Sequence, residues 1–195
     1  MRQEGEMNAD LLYRMASGFH KVGVDAAWQL RGTGSDAFRM IGPAAVNLAL
    51  AAELYLKAVH LLNARRPPST HELWKLFRTL PKFSVDLLNS RYSQALATTD
   101  DELKSIHMVI SRGSDSASKG FPPTPDTVRL LLESHNHAFI SWRYLHEFSS
   151  KGYAYQFDFH AIHVFCGVIN SHVISLLNAR PPHFGVANAS TGEPV

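Results

Sequence analysis

The chain is poor in cysteine, in net charge and in long apolar runs, and each shortage removes a class of function. Its one cysteine, Cys166, excludes an intramolecular disulfide and a cysteine-rich zinc site. Cys166 lies in an apolar stretch, where a buried, inert thiol is expected. The net charge is only +2 with histidine neutral. That argues against a strongly electrostatic nucleic-acid binder, while a local basic patch stays open. No stretch reaches the ~18 uninterrupted apolar residues of a membrane span, and Met1 to Glu6 has no apolar run of signal-peptide type. A cytoplasmic protein without a membrane role is expected. Glycine-rich phosphate loops, nucleophile elbows, kinase motifs and HEXXH are all missing. Neither a metal nor a cofactor is expected.

What is present is helical. Hydrophobic residues make up 45% and charged residues 18% of 195 positions, enough apolar material for the core of one domain. Residues 1–180 read as a single all-α domain and residues 181–195, without periodicity, as a disordered tail. Leu11, Met15, Phe19, Val22, Ala26 and Leu30 fall on one helical face. The next helix places Pro43 in its first turn and is apolar around nearly its whole circumference to Leu62, as a helix surrounded by others would be.

Ser69 and Glu72 have capping-box spacing and open a short helix through Leu73, Leu76 and Phe77, ended by Pro81. A helix over Val85 to Ala97 follows. Thr99 and Glu102 then suggest a second capping box, for a helix with Leu103, Ile106 and Ile110. Arg112 to Pro123 reads as a surface loop. Thr124-Pro125-Asp126 is expected to start a long helix running to about Ser149. Asp158 caps the last helix, and Tyr153 to Phe159 is the one short strand candidate. LLNAR occurs at Leu61 to Arg65 and at Leu176 to Arg180, read as two similar helix exits.

Several polar groups stand out against this background. Glu53 and Lys57, four apart on the apolar helix, are either an exposed ion pair or a buried carboxylate facing a cleft. Arg143, flanked by Trp142 and Tyr144, can bind phosphate and stack a base, or simply pair with Glu147. His160 and His163 have metal-sharing spacing, but no neighbouring carboxylate or cysteine completes a ligand set. His71, beside the Ser69 cap, can seat its helix on the bundle or act as an acid–base group.

The segments Ala51-Ala52-Glu53-Leu54-Tyr55-Leu56-Lys57-Ala58 and His71-Glu72-Leu73-Trp74-Lys75-Leu76-Phe77, then Leu80-Pro81, resemble the HEPN superfamily. Ala138-Phe139-Ile140-Ser141-Trp142-Arg143-Tyr144 resembles one bacterial branch of it. The resemblance implies an up-and-down bundle of four to five main helices plus short ones, and a homodimer. It also implies a role in prokaryotic stress, defence or toxin–antitoxin systems, with RNA, a nucleotide or a cognate protein as partner. Many members are metal-independent endoribonucleases marked by an Arg followed, after four to six residues, by a His on a late helix. Spacings of that kind here include Arg66 with His71 and Arg129 with His135. These are the candidate catalytic pairs, with Glu53, Lys57, Arg143 and Tyr144 as candidate binding residues. The expectation is an RNA- or nucleotide-associated module; the alternatives are an endoribonuclease and a purely structural interaction protein.

Overall fold

A computed structural model describes residues 8–31, 35–99, 103, 107–110, 124–143 and 155–179. Seven helices and a two-stranded ribbon are formed there. They are α1 (Ala9–Gln29), α2 (Ser35–Leu62), α3 (Leu73–Arg78), α4 (Lys82–Thr98), β1 (His107–Ile110), α5 (Val128–Ser134), α6 (Ala138–Arg143), β2 (Tyr155–Asp158) and α7 (Phe159–Asn178). The architecture is the expected all-α bundle, with the ribbon as a small addition.

The central position of α2 follows from its composition. Alanines 44, 45, 49, 51 and 52, with Leu48, Tyr55 and Leu56, are fully buried, and α1, α3, α6 and α7 all pack against α2. By length and composition, residues 39–62 and α7 would pass for membrane spans, but here both are core helices of the bundle. Pro43 sits inside α2, which begins a full two turns earlier at Ser35. Asn8, with its side chain accepting from Asp10 N–H, caps α1.

The buried face of α1 is only partly the one its periodicity suggests. Ala26 is buried and Phe19 and Leu30 pack against the core as expected, but Leu11, Met15 and Val22 are exposed, and Ala16, Gly23 and Ala27 are buried in their place. The cause is close approach. A Cβ added to Gly23 would lie 2.8 Å from Leu48 Cγ, so α1 turns its small residues toward α2.

Three helix starts also differ from expectation. Ser69 and Glu72 form no capping box: Glu72 N–H donates to Thr70 Oγ1, and the N–H of Trp74 is satisfied across the fold by Asn136 Oδ1 at 3.0 Å. Thr99 is the C-cap of α4, and residues 107–110, expected as the end of a helix, pair as a strand. The start of α5 is Val128, with Thr127 as its cap.

The long late helix is broken into α5 and α6 at His135. The His135 ring is buried, with Nδ1 2.8 Å from Leu131 O and Nε2 accepting from Asp158 N–H at 3.0 Å. Those bonds tie the end of α5 to the end of β2, and the chain cannot run straight on. The ribbon is antiparallel, with His107 opposite Asp158 and Ile110 opposite Tyr155. It delivers Phe157 into the core beside His135 and Trp142, and Asp158 then caps α7 through Ala161 N–H. The two LLNAR exits differ as well. Ala64 adopts a left-handed φ of 54°, with Arg65 N–H reaching back to His60 O, whereas Ala179 is right-handed.

Candidate functional site

Glu53 lies midway along α2, where nearly every neighbouring side chain is apolar, and its own side chain is 2% exposed. A carboxylate so placed needs cationic or hydrogen-bonding partners to remain tolerable. Two are present. Lys57, one turn on, donates to Oε1 at 2.6 Å, and His71 brings Nδ1 to 3.0 Å from both carboxylate oxygens. The pair on α2 follows from helical spacing; the histidine arrives from the α2–α3 connection. There Pro67 is buried, Thr70 N–H bonds to Pro68 O, and Leu73 anchors the following helix in the core.

The carboxylate can only accept, so a neutral His71 donates through Nδ1 and carries its lone pair on Nε2. The side chain of His71 is 54% exposed, against 19% for Lys57. The ring thus stands at the mouth of the site with its inner nitrogen fixed and its outer nitrogen toward the accessible side. Phe139 of α6 stacks on it, with centroids 5.7 Å apart and planes 24° apart. The Arg143 guanidinium carbon lies 5.9 Å from the same Phe139 ring.

Of the residues singled out from sequence, Glu53, Lys57 and His71 are therefore brought together, and Arg143 lies against the Phe139 ring on which His71 stacks. Arg66 is exposed on the connection that carries His71, five positions before it. The other candidate pair is separated by burial. Arg129 is on the surface, bonded to Glu133 at 3.0 Å and 5.8 Å from the Trp74 ring centre. His135 is enclosed, with both ring nitrogens bonded to the backbone, and burial pushes its pKa down despite the Leu131 carbonyl. In this arrangement both ring nitrogens face the backbone, and the ring ties α5 to β2. Tyr144 lies outside the described residues. Among the described residues no group of three or more His, Cys, Asp or Glu side chains is disposed to hold a metal.

Two participants escaped the sequence reading. Phe139 contacts both His71 and Arg143, and Asn136 caps α3 from the α5–α6 turn. Both are placed by the break at His135. A period-3.6 pattern carried straight through that position hides the break.

The domain-family model described as HEPN domain matches residues 42–157, more than half of the chain, from the first turns of α2 into β2. Comparison with curated proteins and with solved structures returned no match.

Proposed function

This chain belongs to the HEPN domain family, and from that premise we propose that it is an RNA-associated module whose reactive group is His71. One observation carries the reading: a buried carboxylate, Glu53, shared with Lys57, orients through Nδ1 a half-exposed His71 ring, which stacks on the Phe139 ring that Arg143 also approaches. A carboxylate-oriented imidazole is suited to general acid–base work. In metal-independent RNA cleavage, Nε2 takes the proton of a ribose 2′-hydroxyl. The 2′-oxygen then attacks the adjacent phosphorus, and the P–O5′ bond breaks. The departing oxygen takes a proton from water, leaving a 2′,3′-cyclic phosphate and a free 5′-hydroxyl. Arg143 and Lys57 supply positive charge for the phosphorane. The reading carries with it a cytoplasmic setting in a prokaryotic stress or defence system, and a homodimer. Light scattering reading twice the 21.7 kDa chain mass supports the dimer, and a monomer at all micromolar concentrations removes it.

A second reading has its own support. His71 also stacks on Phe139 and ties the α2–α3 connection to α2, which is what a ring that only seats α3 would do. The experiment that separates them is single-stranded RNA cleavage in EDTA, run beside thermal melts, for wild type, His71→Ala and His135→Ala. If His71 is the base, His71→Ala loses about 100-fold or more of the cleavage rate with little change in melting. His135→Ala instead lowers the melting temperature, and cleavage falls only as far as folding does. Wild-type protein that neither binds nor cuts RNA ends the proposal, and a His71→Ala protein that cuts normally leaves only the seating role.

A further inference from the structure

The side of the bundle formed by α4 and α7 contributes nothing to the Glu53–His71 cluster, yet it holds an open cleft of about 540 Å³. That is within the range of small-ligand sites, roughly 300–1,000 Å³. On α4 the lining residues are spaced i, i+3, i+4, i+7, and on α7 they recur every fourth position, so two helix faces look across the gap. The bottom is apolar, made by Ala95, Val164 and Val168. The two helices are closed elsewhere by Tyr92 against Phe165 and by His172 bonded to Ser84 at 3.0 Å.

Gly167 is the informative residue. Glycine weakens a helix interior relative to alanine, so a glycine inside a helix calls for a reason such as a tight packing contact. Gly23 has such a contact; a Cβ at Gly167 would meet nothing within 4 Å. Gly18 has open space too, but it is exposed on α1, whereas Gly167 lines the cleft. What its bare backbone does is keep the middle of the cleft open and flat.

Among the described lining residues one carries a permanent charge. Arg91 is exposed and has no carboxylate partner among the described residues, unlike Arg14 and Arg129, which each pair with an acid one turn away. Thr98 and Ser171 donate their hydroxyl protons to carbonyls of their own helices, so toward the cleft they offer lone pairs. His163 is held in place by its Nδ1, 2.9 Å from His20 Nε2.

From this arrangement we infer that the α4–α7 cleft binds a small, flat organic acid: one anionic group on Arg91, an aromatic body over Gly167, and a ligand N–H or O–H donated to Thr98 or Ser171. The anionic group can be a carboxylate or a phosphate monoester. Indole-3-acetate and adenosine 5′-monophosphate distinguish these, and indole-3-acetamide is the uncharged control. Titration calorimetry on the full chain is expected to show saturable binding of at least one acid, with the amide about tenfold or more weaker. Arg91→Gln removes that preference for the acid. Gly167→Leu fills the cleft and abolishes binding at a melting temperature no lower than wild type. His71→Ala binds like wild type, so this site stands or falls apart from the RNA reading. The inference is overturned if neither acid binds by about 10 mM, if acid and amide bind equally, or if folded Gly167→Leu protein binds as wild type does.

Discussion

Removing the Glu53 carboxylate leaves Lys57 without its 2.6 Å partner at a site only 19% exposed, and it releases His71 as well. Stranding a largely buried ammonium is among the costlier single changes. Glu53→Ala is therefore expected to lose about 2–4 kcal/mol, read as a lower urea midpoint with an unchanged slope. A loss below about 0.5 kcal/mol would mean that water already solvates the pair. Half of this site was legible in the sequence and half was not, for a definite reason. Lys57 is found from Glu53 because one helical turn separates them. His71 is 18 residues from Glu53, and its approach depends on how the Pro67-Pro68 connection folds back, which no local period encodes. Phe139 is more distant still, and its place depends on a helix break whose cause is a side-chain bond from His135 to the backbone of Asp158.

Helix identity was read well where apolar periodicity was strong, as in α2, and helix orientation was read poorly where small residues decide it. On α1 the large side chains Leu11, Met15 and Val22 suggest one face, but the closest packing available to the helix is through Gly23 and its alanines. Hydrophobic size and close approach point in different directions, and here close approach wins. Two glycine substitutions on this one helix should consequently have opposite signs. Gly18 has open space where a Cβ would go, so Gly18→Ala gains up to about 1 kcal/mol from helix propensity. At Gly23 the same methyl meets Leu48 Cγ at 2.8 Å and the Leu48 backbone nitrogen at 2.9 Å. Relief requires α1 to move off α2, and Gly23→Ala is expected to lose about 1–3 kcal/mol in spite of its better propensity. Urea unfolding of the two variants side by side checks this, and a Gly23→Ala protein as stable as Gly18→Ala would show that the α1–α2 contact is loose.

Among the described residues, four buried or half-buried histidines join different elements of the bundle, and burial opposes their protonation. His20 meets His163 between α1 and α7; His60 bonds to Leu76 O between α2 and α3; His135 spans α5 and β2; His172 bonds to Ser84 between α7 and α4. Burial lowers the pKa of all four, with His163 adding to the effect at His20, Arg65 at His60 and Arg91 at His172. For His20 the value falls to about 4. An unfolded histidine titrates near 6.5, so between about 6.5 and the folded value the unfolded chain binds more protons than the native one. Stability contributed by these groups is therefore complete above about pH 6.5 and declines as the pH falls below it. Each fully shifted group adds up to about 1.4 kcal/mol per pH unit to that slope. The melting temperature is expected to be level from pH 8 to 7 and to drop steeply from 6.5 to 5, before carboxylate protonation contributes strongly. His172→Asn keeps a polar side chain for Ser84 and cannot titrate in this range, so its decline should be shallower than wild type even if its stability at pH 7.5 is lower. A wild-type melting temperature that holds or rises down to pH 5 would mean that these rings accept protons without leaving their partners, and that neutral histidine is not what joins the helices.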